Sequence, residues 1–315
     1  MTEVNVQPIG RVPRTFLHRL FDEETHLWTN RLRWSFEPTR RRLEAALSDG
    51  ALNGLVVMDA IGACAYATYV IDGDRGIVGS TFSSERVRSS GLEEILVRRI
   101  LERLTAQRLD IIDCQTLFSS APALRAPFAD FGFESAARSY MIIERGAWQP
   151  DRHRPTKVHQ TKAVHRADLR SVARLIFDSH FDTRPRDASS SFDTLESCER
   201  ILRQITVDDV CGPFDPFSSR RCEAESGTVS ACLVTWPLNG VAHISEVATA
   251  PKYRRRGLAR LCLVEALNSV FEQNTTTLAT LSVTSSNLGA IALYEALGFT
   301  PRIQYESHVL RERPL

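Results

Sequence analysis

The apolar positions of the chain change period repeatedly, and each change marks an element. Phe16, Leu17, Leu20, Phe21, Leu27 and Trp28 recur at helical spacing. A second helix is predicted over 37–47, with Pro38 in its first turn and Asp49-Gly50 after its end. Strands follow at 55–59 and 63–71. The second of these alternates Cys64, Tyr66, Thr68 and Val70 with Ala65, Ala67, Tyr69 and Ile71, and stops at Asp72-Gly73. A third strand at 76–82, a helix at 90–104, a strand at 110–118, a short helix at 122–131 and a strand at 138–144 complete the first half. Residues 145–156, RGAWQPDRHRPT, carry charge and proline with no apolar period and read as a linker.

The second half opens with a strand near 158–165 and an amphipathic helix over 168–177, whose apolar positions are Leu169, Val172, Ala173, Leu175 and Ile176. Residues 181–191 are polar and irregular, and another helix is expected over 192–205. Strands are predicted at 214–224 and 229–235, and Asn239-Gly240 is a hairpin signal leading into a strand over 241–250. A helix at 258–271, a strand within 275–285 and a last strand at 305–310 follow.

The chemistry concentrates where the 241–250 strand ends. Residues 247–263 read VATAPKYRRRGLARLCL: a β-branched start, then Pro251, three consecutive arginines, Gly257 and Ala259, then apolar residues at helical spacing. A strand therefore runs into a basic turn that opens a helix. The first N–H groups of a helix lack intrahelical partners and sit at the positive end of its dipole. Gly257 lets the backbone approach a ligand and Ala259 keeps the next contact small, so a pyrophosphate fits.

The two halves repeat. Gly257 and Gly298 are 41 positions apart (298 − 257), as are Gly91 and Gly132 (132 − 91), and one offset of 166 relates the pairs. At that offset Arg88 meets Arg254, Leu92 meets Leu258, Leu101 meets Leu267, and Phe131-Gly132-Phe133 meets Leu297-Gly298-Phe299. An internal repeat decides the architecture. Two copies of one fold are expected, at 1–146 and 157–315, joined by a linker at 147–156. The first copy changes the positions where chemistry would sit. Glu93 stands in place of Ala259, Ala121 of Asn287, Phe128 of Tyr294 and Ser80 of Glu246. A carboxylate beside a pyrophosphate repels it, so the first copy is expected to be structural.

Two motifs carry a resemblance. Arg254-x-x-Gly257-x-Ala259 resembles the acyl-CoA pyrophosphate loop (Q/R-x-x-G-x-G/A) of the GCN5-related N-acetyltransferases, the GNAT superfamily. NLGAIALYEALGF at 287–299 resembles that family's downstream N-x-x-A-x-x-L-Y-E-x-L-G-F, matching at Asn287, Ala290, Leu293, Tyr294, Glu295, Leu297, Gly298 and Phe299. The resemblance implies an α/β chain with an α+β mixed sheet: two tandem GNAT (acyl-CoA N-acyltransferase) folds, the second catalytic. It implies transfer of an acetyl group from acetyl-CoA, as co-substrate, to a primary amine of a small molecule or peptide, by direct attack in a ternary complex. Two other readings stay open: a sensor or scaffold that holds acyl-CoA without turnover, and an acyltransferase for longer chains.

The resemblance also implies roles. Backbone N–H groups of Arg255, Arg256, Gly257, Leu258, Ala259 and Arg260 would hold the pyrophosphate, with the Arg254, Arg255 and Arg256 side chains adding charge. Val247, Ala248 and Thr249 would pair with the pantetheine arm, the amide near Val247 facing the acetyl oxygen. Asn287 would touch the cofactor, cap its helix, or both. Tyr294 is the candidate acid at the CoA sulfur, and Glu246 is the candidate base. Strict alternation puts Glu246 on the face opposite His243 and Ser245 unless a bulge intervenes. His243 is the rival base, because an imidazole titrates near neutral pH. Acceptor recognition is expected from 178–191, part of 192–205, and 302–308. The first of these segments, with the start of the second, carries Asp178, Asp182, Asp187 and Asp193 with Arg184 and Arg186 between, a pattern that suits a cationic substrate.

Composition narrows the partners. The chain has 315 residues, Lys+Arg 39 against Asp+Glu 38 and a net charge of +1, so nothing global favours nucleic acid or an anionic membrane. No apolar run could span a bilayer, and the first residues, MTEVNVQPIGRVPR, lack the apolar core of a signal peptide, so a cytoplasmic location is expected. The seven cysteines are scattered with no C-x-x-C and read as reduced, mostly buried thiols. No Cys/His cluster has zinc-ligand spacing, so no metal is expected. The oligomeric state is open between monomer and homodimer.

Overall fold

A computed structural model describes residues 5–88, 90–119, 124–150, 160–180 and 192–311. They group into two compact units: unit 1 is Met1–Ala137 with Gln304–Leu315, and unit 2 is Arg138–Ile303.

Unit 1 begins with β1 (Asn5–Pro8) and α1 (Arg14–Leu27), which continues into a π-helical turn (Trp28–Leu32). Then come α2 (Glu37–Ser48), the antiparallel strands β2 (Asn53–Met58), β3 (Ala63–Asp72) and β4 (Arg75–Ser83), α3 (Leu92–Thr105), β5 (Ile111–Gln115) and the short α4 (Arg125–Asp130). Leu96, Val97, Ile100, Leu101 and Leu104 recur every three or four residues along α3, so one stripe of the helix packs on Leu55, Val57, Ala65, Ala67 and Ile112. The opposite face is aromatic. Phe21, Phe36, Tyr66 and Phe82 are fully buried there, with Phe21 edge-on to Tyr66 at 5.4 Å.

Next in the chain is β6 (Glu134–Glu144), whose residues from Arg138 onward lie in unit 2. Unit 2 continues with β7 (Thr161–Ala163), α5 (Leu169–His180), α6 (Leu195–Thr206), β8 (Arg220–Ala224), β9 (Gly227–Leu238), β10 (Val241–Thr249), α7 (Leu258–Glu272), β11 (Leu278–Thr284) and α8 (Leu288–Ala296). Its strands run β6-β11-β10-β9-β8-β7. One face packs under α7 through Leu258, Cys262, Leu263 and Leu267 against Cys232, Val234, Ala242 and Ile244. The other packs under α5 and α6 through Val172, Leu175, Ile176, Cys198 and Leu202 against Ala231, Leu233 and Ala248.

The last strand, β12 (Thr300–Arg311), turns away from the half of the sequence that precedes it. Ser307–Arg311 pair with β5 of unit 1, while residues 138–144 of β6 pair with β11 of unit 2. The offset of 166 maps β6 onto β12. The two copies therefore exchange equivalent closing strands, and the compact units differ from the simple 1–146 and 157–315 division. Apolar alternation makes a strand and gives it two faces, but it does not say which edge the strand joins.

Smaller differences have local causes. The strand expected over 214–224 is confined to Arg220–Ala224, with Phe214 in a single bridge to Thr235; Pro213 and Pro216 cannot donate to a ladder. The strand expected to reach 118 stops at Gln115, where a 3-10 turn begins. The start of the expected linker is structured: Arg145–Ala147 form a 3-10 turn, and the Trp148 ring packs 6.0 Å from that of Phe271. Residues 151–156 lie outside the described residues. Among the described residues no helix is long and apolar enough to cross a membrane, and no group of His, Cys, Asp and Glu is arranged to hold a metal ion. All seven cysteines are free thiols, six of them buried.

Candidate active site

β10 and β11 pair in parallel for four residues, from Val241 with Leu278 to Ile244 with Leu281, and then part. β11 continues with β6, and β10 continues with β9 as far as Thr249. The edge of β10 that faced β11 is therefore free of strand pairing from residue 245 onward. Pairing of β10 with β9 slips between Ile244 and Glu246, so Ser245 is the extra residue of a bulge. Beyond the bulge Glu246 pairs with Leu233; before it, His243 pairs with Thr235. Leu233 packs under α5 and α6, and Thr235, two residues on, shares its face. The bulge thus brings Glu246 and His243 to the same face, which strict alternation does not.

The Glu246 side chain is 10% exposed and lies 3.6 Å, Oε1 to Nε2, from His180 at the end of α5. The same Oε1 accepts the Val247 N–H at 3.1 Å. That amide, expected to face an acetyl oxygen, is engaged by the neighbouring carboxylate. The His180 ring stacks on Phe192 at 3.8 Å and 7°. Sequence reasoning did not single out His180. Its one signal is position, in the last turn of an amphipathic helix where a polar stretch begins.

His243 is 6% exposed, with Nδ1 2.8 Å from Thr280 Oγ1, and burial pushes its pKa down to about 3. It is a neutral, weakly basic core imidazole, which corrects the expectation that it titrates near neutral pH. Tyr294 is 7% exposed and lies edge-on to Phe299 at 6.1 Å. Burial, then the charge of Glu246, push its phenol well above the ordinary range, so it holds its proton as a general acid must.

The turn after β10 is shaped by three contacts. Pro251–Tyr253 form a 3-10 turn. Arg254 donates to the carbonyls of Thr249 (3.4 Å) and Ser179 (2.5 Å), so its guanidinium holds the turn against the end of α5 instead of reaching outward as expected. Arg256 lies over the Tyr253 ring at 5.1 Å. Arg255, at φ +62°, and Gly257, at φ +78°, take left-handed conformations, a strained geometry for arginine that is natural for glycine. No side chain caps α7, and a Cβ on Gly257 would meet nothing within 4 Å. The start of α7 therefore has open space beside Gly257. Asn287 caps α8, accepting the Ala290 N–H at 3.2 Å.

Unit 1 repeats this frame with different side chains. β4 and β5 also pair for four residues, Arg75 with Ile111 to Val78 with Cys114. Gly91 takes φ +77° before α3, again without a side-chain cap. Glu93, expected to repel a pyrophosphate, is instead turned inward at 3% exposure, where its Oε1 accepts from Ser83 Oγ at 2.6 Å.

Of the expected acceptor segments, Asp182, Arg184, Arg186 and Asp187 lie outside the described residues. Asp178 pairs with Arg174 at 3.2 Å. Gln304 to His308 belong to unit 1, not to unit 2.

Residues 191–299 match the model of the acetyltransferase (GNAT) family. The [ribosomal protein bS18]-alanine N-acetyltransferase of Escherichia coli (strain K12) is 36% identical over 75 residues, 24% of this chain and 50% of that protein. The chain thus spans about half the length of the curated relatives it matches. A GCN5-related N-acetyltransferase from Sphaerobacter thermophilus has the same fold, with TM-score 0.67 and 20% identity over 100% of this chain and 97% of that one. A tandem GNAT protein from the clavulanic acid biosynthesis pathway aligns with TM-score 0.59 and 13% identity over 99% and 100%.

Proposed function

We propose that this chain, which belongs to the GNAT superfamily, acetylates a primary amine through unit 2 and uses acetyl-CoA as co-substrate. The observations that carry the reading are the free edge of β10 running into a helix start without a side-chain cap, and a Glu246 carboxylate close enough for its charge to act on a buried phenol that keeps its proton. The amides of Leu258, Ala259 and Arg260 and the charge of Arg255 and Arg256 would hold the pyrophosphate. The backbone of Val247, Ala248 and Thr249 would take the extended arm along the edge that β11 leaves.

Acetyl-CoA would supply a thioester carbonyl open to attack by an amine. Glu246 takes the proton of the incoming ammonium, and His180, 3.6 Å away, stabilises the carboxylate when protonated. Tyr294 gives its proton to the departing sulfur and regains one from the nitrogen that has attacked. Acid–base groups of this kind contribute about 10²–10⁴-fold each. The buried His243 serves the fold. The acceptor is a small amine or a peptide amine, and a peptide beginning with alanine, after the relatives' name, is the first to try. We place the reaction in the cytoplasm, where the free thiols stay reduced.

Calorimetry with acetyl-CoA tests the reading. One site per chain, lost in Gly257→Glu, is expected; absence of binding sinks it. With an amine acceptor in hand, Tyr294→Phe lowers turnover about 10²-fold or more at unchanged acetyl-CoA affinity. Unchanged turnover removes Tyr294 from the mechanism. Acetyl-CoA that binds but turns over with no amine would favour a sensor.

A further inference from the structure

The open end of β4 and β5 in unit 1 lacks the carboxylate that its counterpart in unit 2 presents. Ser80 stands at the position of Glu246, and the flanking segments bring arginines. Arg31, in the turn after α1, reaches across to the end of β5 and donates through Nη1 to the Ser119 carbonyl at 2.6 Å. Its Nη2 is buried without a hydrogen-bond partner. Arg88, in the turn after β4, has a buried Nε without a partner, whereas its counterpart Arg254 is engaged by two carbonyls. Ser84, at the end of β4, is 1% exposed, and its Oγ has no partner either.

Arg31 and Arg88 share one electrostatic neighbourhood, and Ser84 follows Ser83, which donates to the Glu93 of that neighbourhood. Arg31 feels the charges of Arg88 and Glu93, and burial, the largest effect on it, lowers its pKa. The charge on Glu93 also reaches Glu24. Glu93, whose charge acts on Arg31, also accepts from Ser83. Glu24, held by burial at about 8, is mostly protonated at neutral pH and cancels neither guanidinium. The positive end of α3, uncapped behind Gly91, adds to the same sign. Buried donors are nearly always satisfied, and a buried cation without full pairing is costly. An oxyanion answers both needs, because it accepts several charge-assisted hydrogen bonds at once.

We infer that unit 1 carries an oxyanion site built by Arg31, Ser84 and Arg88, which takes a phosphate- or carboxylate-bearing small molecule. The site is made of side chains, at the end of the strands where unit 2 presents a carboxylate. It stands whether or not unit 2 transfers acetyl groups.

The test uses the full chain in a buffer free of phosphate and carboxylate, with inorganic phosphate and acetate as separate probes and acetyl-CoA as a third. Binding is followed by calorimetry and by the melting temperature in wild type, Arg88→Gln, Ser84→Ala and Gly257→Glu. The expected result is that phosphate or acetate binds at one site and raises the melting temperature. Affinity falls about tenfold or more in Arg88→Gln and less in Ser84→Ala, since a hydrogen bond to a charged group outweighs a neutral one. Gly257→Glu leaves it unchanged. A second acetyl-CoA site lost in Arg88→Gln would name the cofactor's own phosphates as the source. Three results overturn the inference: no probe binds, binding is the same in Arg88→Gln and Ser84→Ala as in wild type, or binding is lost in Gly257→Glu and kept in Arg88→Gln. The melting curves of the free variants show that each still folds.

Discussion

The two units share a frame and differ in a few side chains. Each parts its central parallel strands after four pairs, and each starts the following helix from a glycine at φ +77° or +78° without a side-chain cap. Into that frame unit 2 sets Glu246, His180 and Tyr294. Unit 1 sets Ser80, Arg31 and Phe128, the last stacked on His308 at 3.9 Å, and fills the face under α1 with rings. Backbone geometry is held by pattern and by two glycines, whereas chemistry hangs on single positions. A duplicated fold can therefore lose or invert its site without losing its shape.

The largest effect should come from breaking the strand exchange. β12 brings the buried Tyr305, His308 and Val309 to unit 1 and pairs five residues with β5. Burying side chains of this size contributes roughly 1.5–3 kcal/mol each, so losing them with a ladder approaches the whole stability of a domain. A chain ending at Ile303 should lose the cooperative melting and protease resistance of unit 1. Residues 1–156 expressed alone should not fold. A cooperative melt from that fragment would restore the simple division at 146.

That exchange also marks where the sequence stops being legible. Helical and strand periods placed most elements to within a few residues, because periodicity reports burial, but they missed β1 and the start of β12. The glycines at 91, 132, 257 and 298 exposed the repeat because the left-handed backbone tolerates little else. Sequence pattern could not tell β6 from β12 as the closing strand, since both alternate alike. Nor could it foresee that Ser245 would bulge and bring Glu246 round to the face of His243, or that Arg254 would turn to Ser179. Those outcomes depend on partners distant in the chain.

The paired glycines sharpen the comparison at the next level. Gly91→Glu and Gly257→Glu both force a side chain into left-handed backbone with open space around it, at a similar cost of about 1 kcal/mol. Melting temperatures should fall alike. Acetyl-CoA binding, read by calorimetry, should vanish only in Gly257→Glu. Equal loss in both would mean that the helix start of unit 1 is a working cofactor site.

Acidity should move the units in opposite directions. Burial raises the Glu24 carboxyl of unit 1 from 4.5 to about 8, against the bonds donated by Tyr66 and Trp28. A raised carboxyl stabilises through its protonated form: the contribution is full below about 4.5 and is lost as pH rises towards about 8. Burial lowers His243 of unit 2 from 6.5 to about 3, so its contribution is present above 6.5 and is lost as pH falls towards 3. Hydrogen exchange followed unit by unit from pH 5 to pH 8 should show unit 1 loosening by up to a few kcal/mol. Glu24→Gln should flatten that slope and leave unit 2 untouched. A slope that survives the substitution would assign the effect to another group.

The smallest effect separates two roles of one residue. Asn287 caps α8 through its bond from the Ala290 N–H, while α4 in unit 1 starts from Leu124 with no such bond. Removing a cap costs about 1 kcal/mol, and aspartate or serine restores it. Asn287→Ala should therefore lower the melting temperature of unit 2 by a few degrees, and Asn287→Asp should recover it. If Asn287 also touches the cofactor, acetyl-CoA affinity should fall in both variants, more steeply in Asn287→Asp, whose carboxylate would face the phosphates. If affinity simply follows the melting temperature, Asn287 is a cap alone, and the difference between the two helix starts at that position is one of stability.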